Sequence, residues 1–199
     1  NGGSANCYIG TDNTSFTFGQ GSAERLRIDP SGRLLVGTTT ANTSGGVLQL
    51  SSGITFPATQ VASADPNTLD DYEEGTFIPT VAGSSTVGTA SYAVQSARYT
   101  KIGRVVHFEM YVNWSAGTGT GNLLITGLPF TSSNTQTYPG VNIGFISNVA
   151  LSANNYATAQ VDNNANTVRL KQSPVGGGVA TDVAYDADAA LTLSGSYTV

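Results

Sequence analysis

Charge is what this 199-residue sequence has least of: only 11% of its residues are Asp, Glu, Lys or Arg. Soluble domains usually carry about 25%. No Lys precedes Lys101, and the 8 basic residues never form a run. The basic stripe that displaces counterions from nucleic acid is therefore missing, which excludes nucleic acid as a partner. A single cysteine, Cys7, excludes an intrachain disulfide and leaves the redox compartment open. One Cys and one His, His107, cannot close a zinc site of nitrogen and sulfur ligands. No G-x-S-x-G turn accompanies that lone histidine, so a serine hydrolase is not expected and His107 reads as structural. No stretch approaches the roughly 18 to 20 apolar residues of a membrane helix, so membrane insertion is not expected. The sequence opens on Asn-Gly-Gly rather than Met and reads as a fragment or processed piece, which deprives a missing targeting signal of meaning.

Ser, Thr and Asn fill the space that charge leaves, beside 24 Gly and 39% hydrophobic residues rich in Val, Ile, Tyr and Phe. Such a surface is hydrated through hydroxyls and amides, and the apolar share is too high for disorder. The fold class expected is all-β. The clearest signal is Arg104 to Trp114, where side-chain alternation puts Val106, Phe108, Met110, Val112 and Trp114 on one face. Val105, His107, Glu109, Tyr111 and Asn113 fall on the other, which is mixed rather than simply solvated.

Three regions are expected. Residues 1–64 offer short strands between glycines, among them Cys7-Tyr8-Ile9, Phe16-Thr17-Phe18, Arg25 to Ile28, Arg33 to Val36, Val47 to Leu50 and Ile54-Thr55-Phe56. Asp29-Pro30-Ser31-Gly32 reads as the turn of a hairpin, with Pro second and Gly fourth. Each strand has only two or three apolar residues, and so small a unit buries little. Stacking against other copies of the chain would solve this, and a closed homotrimer would turn three weak faces into one core. Residues 65–75 read as a short helical hinge, with Asp65 as N-cap, Pro66 at the first helical position and Gly75 as the left-handed stop. Residues 76–199 carry strands at sandwich or barrel spacing, near Thr76–Val81, Ser91–Gln95, Ala97–Ile102, Arg104–Trp114, Asn122–Thr126, Val141–Ser147, Ala157–Asp162, Thr167–Gln172 and Leu191–Val199. The Gly117–Gly121 run reads as a flexible connection.

Few residues promise chemistry. Asp70, Asp71, Glu73 and Glu74 resemble calcium ligands in type, but a helix is the wrong scaffold for six to eight converging oxygens. Ion pairs with Arg98, Lys101 or Arg104, or plain solvation, are expected instead; no metal or cofactor is. Glycoside hydrolysis needs only two carboxyls, and Asp162, Asp182, Asp186 and Asp188 supply the residue type, though loop solubility explains them as well. Sugars are held by aromatic faces flanked by amides and carboxylates. Tyr138, Asn154, Asn155, Tyr156, Asp162, Asn163, Tyr185 and Asp186 bring that mixture to the later loops, and they are the candidate glycan-binding residues.

Four phrases carry a resemblance: DPNTLDDYEEGTFIPTV (Asp65–Val81), ARYTKIG (Ala97–Gly103), NWSAGTGTGN (Asn113–Asn122) and GLPFT (Gly127–Thr131). They are similar to the distal part of bacteriophage tail fibres and tailspikes. ERLRIDPSGRLLVGTTT (Glu24–Thr40) resembles the short repeat of the shafts and necks of such fibres. One departure is Phe77-Ile78, where relatives often have Trp-Thr. The resemblance implies a homotrimeric virion protein, joined to other tail proteins through a part not present here and contacting the host surface. Together with the residue reading it gives a thin trimeric β neck followed by an antiparallel β-sandwich head, jelly-roll-like. That head is expected to attach to a bacterial cell-surface polysaccharide or lipopolysaccharide without chemistry. A glycan-depolymerising tailspike head and a purely structural trimerisation or connector module are the alternatives.

Overall fold

The computed structural model describes residues 7–11, 14–57, 59, 61, 63–65 and 67–199. The chain divides into two compact units, Asn1–Thr55 and Phe56–Val199. Among the described residues every regular element is a strand. The all-β expectation therefore holds.

The N-terminal unit is one five-stranded sheet in chain order, β1 (Cys7–Thr11), β2 (Phe16–Gln20), β3 (Ala23–Ile28), β4 (Leu34–Val36) and β5 (Leu48–Leu50). The hairpin turn forms where Pro and Gly place it. The Gly32 amide donates to the Asp29 carbonyl at 2.9 Å, and Gly32 takes a φ of 76°. The Asp29 carboxylate then accepts the Ser31 and Arg33 amides, both at 2.9 Å, and the Arg33 guanidinium. β5 runs parallel to β4. Ile54 to Phe56 is not a strand.

The C-terminal unit contains β6 (Tyr72–Phe77), β7 (Thr80–Gly83), β8 (Ser91–Ile102), β9 (Val105–Ser115), β10 (Leu123–Thr126), β11 (Gly140–Ser147), β12 (Asn155–Val161), β13 (Thr167–Pro174), β14 (Thr181–Asp182) and β15 (Ala189–Thr198). All ten belong to one sheet in the order β6-β8-β9-β15-β11-β12-β13-β10-β7, with β14 beside β13. The two ends of that order, β6 and β7, are separated in sequence only by Ile78 and Pro79. A link this short spans at most about 11 Å between flanking Cα atoms, so the sheet has to curl until its edges meet. Side chains tie the seam: the Val81 amide donates to the Tyr92 hydroxyl, and the Gln95 amide nitrogen to the Pro79 carbonyl, both at 2.9 Å. The head is thus a single curled antiparallel sheet with its core between the facing halves, in place of two separate sheets.

That core follows from alternation. On β9, Val106, Phe108, Val112 and Trp114 are fully buried, with Met110 nearly so. Leu193 and Leu191 of β15 sit beside Met110 and Val112, and Val168, Leu170, Val161, Leu123 and Ile125 face them from the other half. Trp114 satisfies its indole N–H on the Asp186 carbonyl at 2.9 Å. Tyr197 donates its hydroxyl to the Phe130 carbonyl and accepts the Phe130 amide.

The helical hinge is not there. Residues 72–77 pair with β8 from Tyr72↔Ile102 to Phe77↔Ala97, and Pro66 lies outside the described residues. Asp65 does act as a local cap, accepting the Asn67 amide at 2.9 Å, but the turn ends at once. The strand wins because Tyr72, Glu74 and Thr76 alternate with Glu73, Gly75 and Phe77, and the second set meets β8. Asp71 and Lys101 form a buried ion pair, the Tyr99 hydroxyl donates to Glu73, and Gly75 lets the Tyr99 ring lie close. Of the acids that read as a helical face, Glu73 and Glu74 lie in β6 and Asp70 and Asp71 just before it, and Asp71 and Glu73 find their side-chain partners on β8. Of the cations expected to pair with them, Lys101 does so, whereas Arg98 pairs with Glu109 at 2.6 Å.

Candidate functional site

Alternation also decides what the outer face of β12 and β13 presents. Val168 and Leu170 point into the core, so Arg169 and Lys171 point out. Their register partners Gln160 and Thr158 point out beside them. Asp162 follows β12 directly, and Asp182 of β14 pairs with Lys171. The result is a chain of half-buried ion pairs. Arg169 forks onto Asp162 with Nε–Oδ1 at 2.9 Å and Nη2–Oδ2 at 2.8 Å. It also reaches Asp182 at 3.1 Å, and Lys171 holds the other Asp182 oxygen at 2.8 Å. Asn122 donates to Asp182 as well, at 2.8 Å. Burial works to raise the Asp182 carboxyl, but the Lys171 and Arg169 contacts outweigh it and hold the group below the ordinary carboxylate value.

This array floors an open groove of about 610 Å³, walled by Tyr138, Asn163 and Ala165. Tyr138 is 47% exposed and stands at φ 44°, in the left-handed region that bulky residues rarely adopt. Its loop is clamped by Asn163, whose side chain accepts the Gln136 amide and donates to Asn134, both at 2.6 Å. Gln136 too has a positive φ, of 57°.

Three of the eight expected residues, Tyr138, Asp162 and Asn163, therefore meet in one groove. Tyr156, 53% exposed, shares its outward face with Gln160 but lies roughly 13 Å further along β12. Asn154 and Asn155 belong to that far end. Asn154 forms the tight turn at φ 60°, and Asn155 donates inward to Gln172 at 3.1 Å. Tyr185 and Asp186 serve the fold. The Tyr185 ring lies against Gly117 and Gly119, so close that a Cβ at Gly117 would fall 2.4 Å from its hydroxyl. Asp186 accepts the Ala150 and Asp188 amides. The Gly117–Gly121 run is accordingly a packed surface for an aromatic ring, not a free connection.

Sequence reading missed Gln160, Arg169 and Lys171 and left Asp182 outside the binding set. The signal was available. Polar side chains at 158, 160 and 162 alternate with Ala159 and Val161, and the same pattern recurs at 169 and 171.

A scan against protein-family profiles gives no match, and a search of curated proteins gives none. Among solved structures, the crystal structure of the Dettilon tailspike protein (gp208) matches with a TM-score of 0.53 and 21% identity. The match covers 64% of this chain and 24% of that one, so this chain corresponds to about a quarter of its length. The likeness is one of fold, and it falls in the same class of protein that the sequence motifs resemble.

Proposed function

We propose that this chain is the distal piece of a bacteriophage tail fibre or tailspike, carried on the virion as a homotrimer, and that its C-terminal unit attaches to a host cell-surface glycan. The observation that carries the reading is the groove floored by Asp162, Arg169, Asp182 and Lys171 and walled by Tyr138. It combines an exposed aromatic face with fixed donors and acceptors, the combination that recognises a polyhydroxylated ring. The fold of a tailspike protein and the tail-fibre motifs support the same reading.

The groove binds without cleaving. A glycosidase needs one carboxyl free to serve as a protonated general acid, whereas Asp162 and Asp182 are both engaged in ion pairs with Arg169 and Lys171, contacts that hold Asp182 below the ordinary carboxylate value. Two cations against two carboxylates leave the groove balanced in charge, which suits a neutral or weakly charged polysaccharide or lipopolysaccharide. Three copies on one fibre raise weak single-site affinity through multivalency.

The test is adsorption of purified protein to host cells, with Tyr138→Ala, Asn155→Ala, Tyr156→Ala and Tyr185→Ala each compared at equal melting temperature. Tyr138→Ala should lose adsorption most, and Tyr156→Ala should weaken it. Asn155→Ala and Tyr185→Ala, where they fold, should adsorb normally. Normal adsorption by Tyr138→Ala would sink the site, and shortened host polysaccharide after incubation would replace binding by the depolymerase reading.

A further inference from the structure

The chain has two lysines, and they stand in opposite circumstances. Lys171 holds Asp182 at 2.8 Å with both side chains about a quarter exposed, and Arg169 shares that carboxylate. Lys101 meets Asp71 in the interior, where the two side chains are 6% and 8% exposed. Backbone pairing fixes both. The register Tyr72↔Ile102 and Glu73↔Lys101 sets β6 on β8, and the Gly103 amide donates to the Asp71 carbonyl at 2.9 Å. Asp71 and Glu73 lie two positions apart and so share a face. Glu73 is the direct cross-strand neighbour of Lys101, a spacing of about 5 Å between Cβ atoms. Asp71 sits diagonally, beside Gly103, which has no side chain to separate it from the amine. Phe130 covers the group with its ring centroid 5.4 Å from Nζ. Tyr99, edge-on to Phe130, donates its hydroxyl to Glu73. An amine and two carboxyl groups thus meet beside two aromatic rings.

We propose that Lys101 and Asp71 condense into an intramolecular isopeptide bond, with Glu73 relaying the proton. The ion pair passes one proton from Nζ to the Asp71 carboxylate, which leaves a neutral amine beside a neutral acid. Nζ then attacks Cγ. The Nζ–Cγ bond forms and one Cγ–O bond breaks. Glu73 takes a proton from the nitrogen and returns it to the departing hydroxyl, which leaves as water. Ammonium and carboxylate become amide and water, with no redox change and no co-reactant, and Glu73 ends as it began. Three conditions favour the step. Holding two full charges out of water is costly, and the amide removes both. Burial already pushes the Lys101 ammonium below its usual value, towards the nucleophilic free base. The ladder keeps nucleophile and carboxyl carbon together, which replaces an encounter in solution by proximity. Lys171 and Asp182 share the proximity but stay solvated, and they remain an ion pair. The bond ties β6, the first strand of the C-terminal unit, to β8, in a chain whose single cysteine rules out an intrachain disulfide. The inference goes beyond the glycan reading and does not depend on it.

The experiment is intact-mass spectrometry of the full chain, kept folded at neutral pH until its mass is constant and then denatured, followed by a tryptic digest. The wild type should be lighter than its sequence mass by one water. The digest should join residues 34–98 to residues 99–104, because trypsin no longer cuts after an acylated Lys101. Asp71→Asn should lose one ammonia instead and give the same joined peptide. Lys101→Arg should keep its full mass, as should the double change Lys101→Met with Asp71→Leu, which strands no charge. Glu73→Gln should convert about 100-fold more slowly. A wild type at full sequence mass, with residues 99–101 released by trypsin, overturns the inference. So does a loss of water that persists in Lys101→Arg, since a succinimide at an aspartate needs no lysine. Unslowed conversion in Glu73→Gln overturns the relay. The joined peptide is read in the wild type itself, so a variant that fails to fold leaves the test intact.

Discussion

Leu35 and Trp114 are both fully buried, but they belong to different kinds of structure. Leu35 is the single buried apolar side chain among the described residues of the N-terminal unit. Trp114 belongs to a core of twenty in the C-terminal unit. The first unit does not lack apolar residues: Ile9, Phe16, Phe18, Ile28, Leu48 and Leu50 all stand exposed. What differs is whether the chain can fold back over its own apolar face. Five short strands in chain order make one sheet that leaves these side chains open, whereas ten strands whose ends are joined by Ile78-Pro79 enclose their own interior. Apolar content alone therefore does not say where a core is; topology does.

The sharpest way to test that contrast is to remove one ring from each unit. Phe108→Ala should cost about 3–5 kcal/mol, the range for an aromatic lost from a packed interior. The shift would be read as a lower urea midpoint of Trp114 fluorescence. Phe18→Ala should leave that transition where it was. Equal shifts from both substitutions would mean that the two units melt as one.

Next in size is the ion pair that fastens edge strand β6 to β8. Burial pushes the Lys101 ammonium below its usual value, partly offset by the charge of Asp70, and the amine also lies 5.4 Å above the Phe130 ring. Lys101→Ala strands the Asp71 carboxylate in the interior and should cost about 3 kcal/mol. The double change to Lys101→Met with Asp71→Leu should recover most of it. In the N-terminal unit, by contrast, the Arg27–Glu24 and Arg33–Asp29 pairs are local to one strand and one turn.

The smallest effect separates the units by pH. Burial holds the Tyr197 hydroxyl up to about 12, and the hydrogen bond to Glu73 does the same for Tyr99. A phenol whose folded value is raised keeps its proton while the unfolded chain loses it. Its contribution is complete below pH 10 and is lost as pH climbs towards 12. For Tyr197 this amounts to roughly 2–3 kcal/mol, at about 1.4 kcal/mol per pH unit. Melts at pH 9 and pH 11.5 should show the C-terminal unit weakening, with a shallower fall in Tyr197→Phe. An unchanged slope in that variant would assign the loss to other groups.

Much of this was readable from residue order, and the exceptions have physical causes. The inward face of β9 was legible because eleven residues alternate without interruption, and the Asp29–Gly32 turn because Pro and Gly each demand one conformation. The helix at 65–75 was misread because Asp65, Pro66 and Gly75 supply good caps. Propensity cannot see that Lys101 and Tyr99, some 25 to 30 positions later, offer Asp71 and Glu73 better partners. The candidate groove was half legible. Tyr138, Asp162 and Asn163 announced themselves by type, whereas Arg169, Lys171 and Asp182 became neighbours only through the pairing of β13 with β12 and β14. Asn163 shows a further limit. Its amide is occupied in holding the Tyr138 loop, so its place in the site is to position rather than to touch.

Strand β15 lies between β9 and β11, in the middle of the ten-stranded order. It brings Leu191, Leu193 and Tyr197 into the interior and pairs along ten residues with β9. During synthesis, therefore, β6 to β9 emerge with one side of β9 unpaired and must wait for β15, which spans only Ala189–Thr198, more than seventy residues after β9 ends at Ser115. At translation speeds of about 5–20 residues per second, that wait lasts several seconds, far longer than a hairpin needs to form. The early strands have to stay soluble in the meantime, and the scarcity of contiguous apolar runs outside β9 serves that end. A chain that stops short of β15 leaves two half-sheets with open central edges, so the head cannot close until that strand is made.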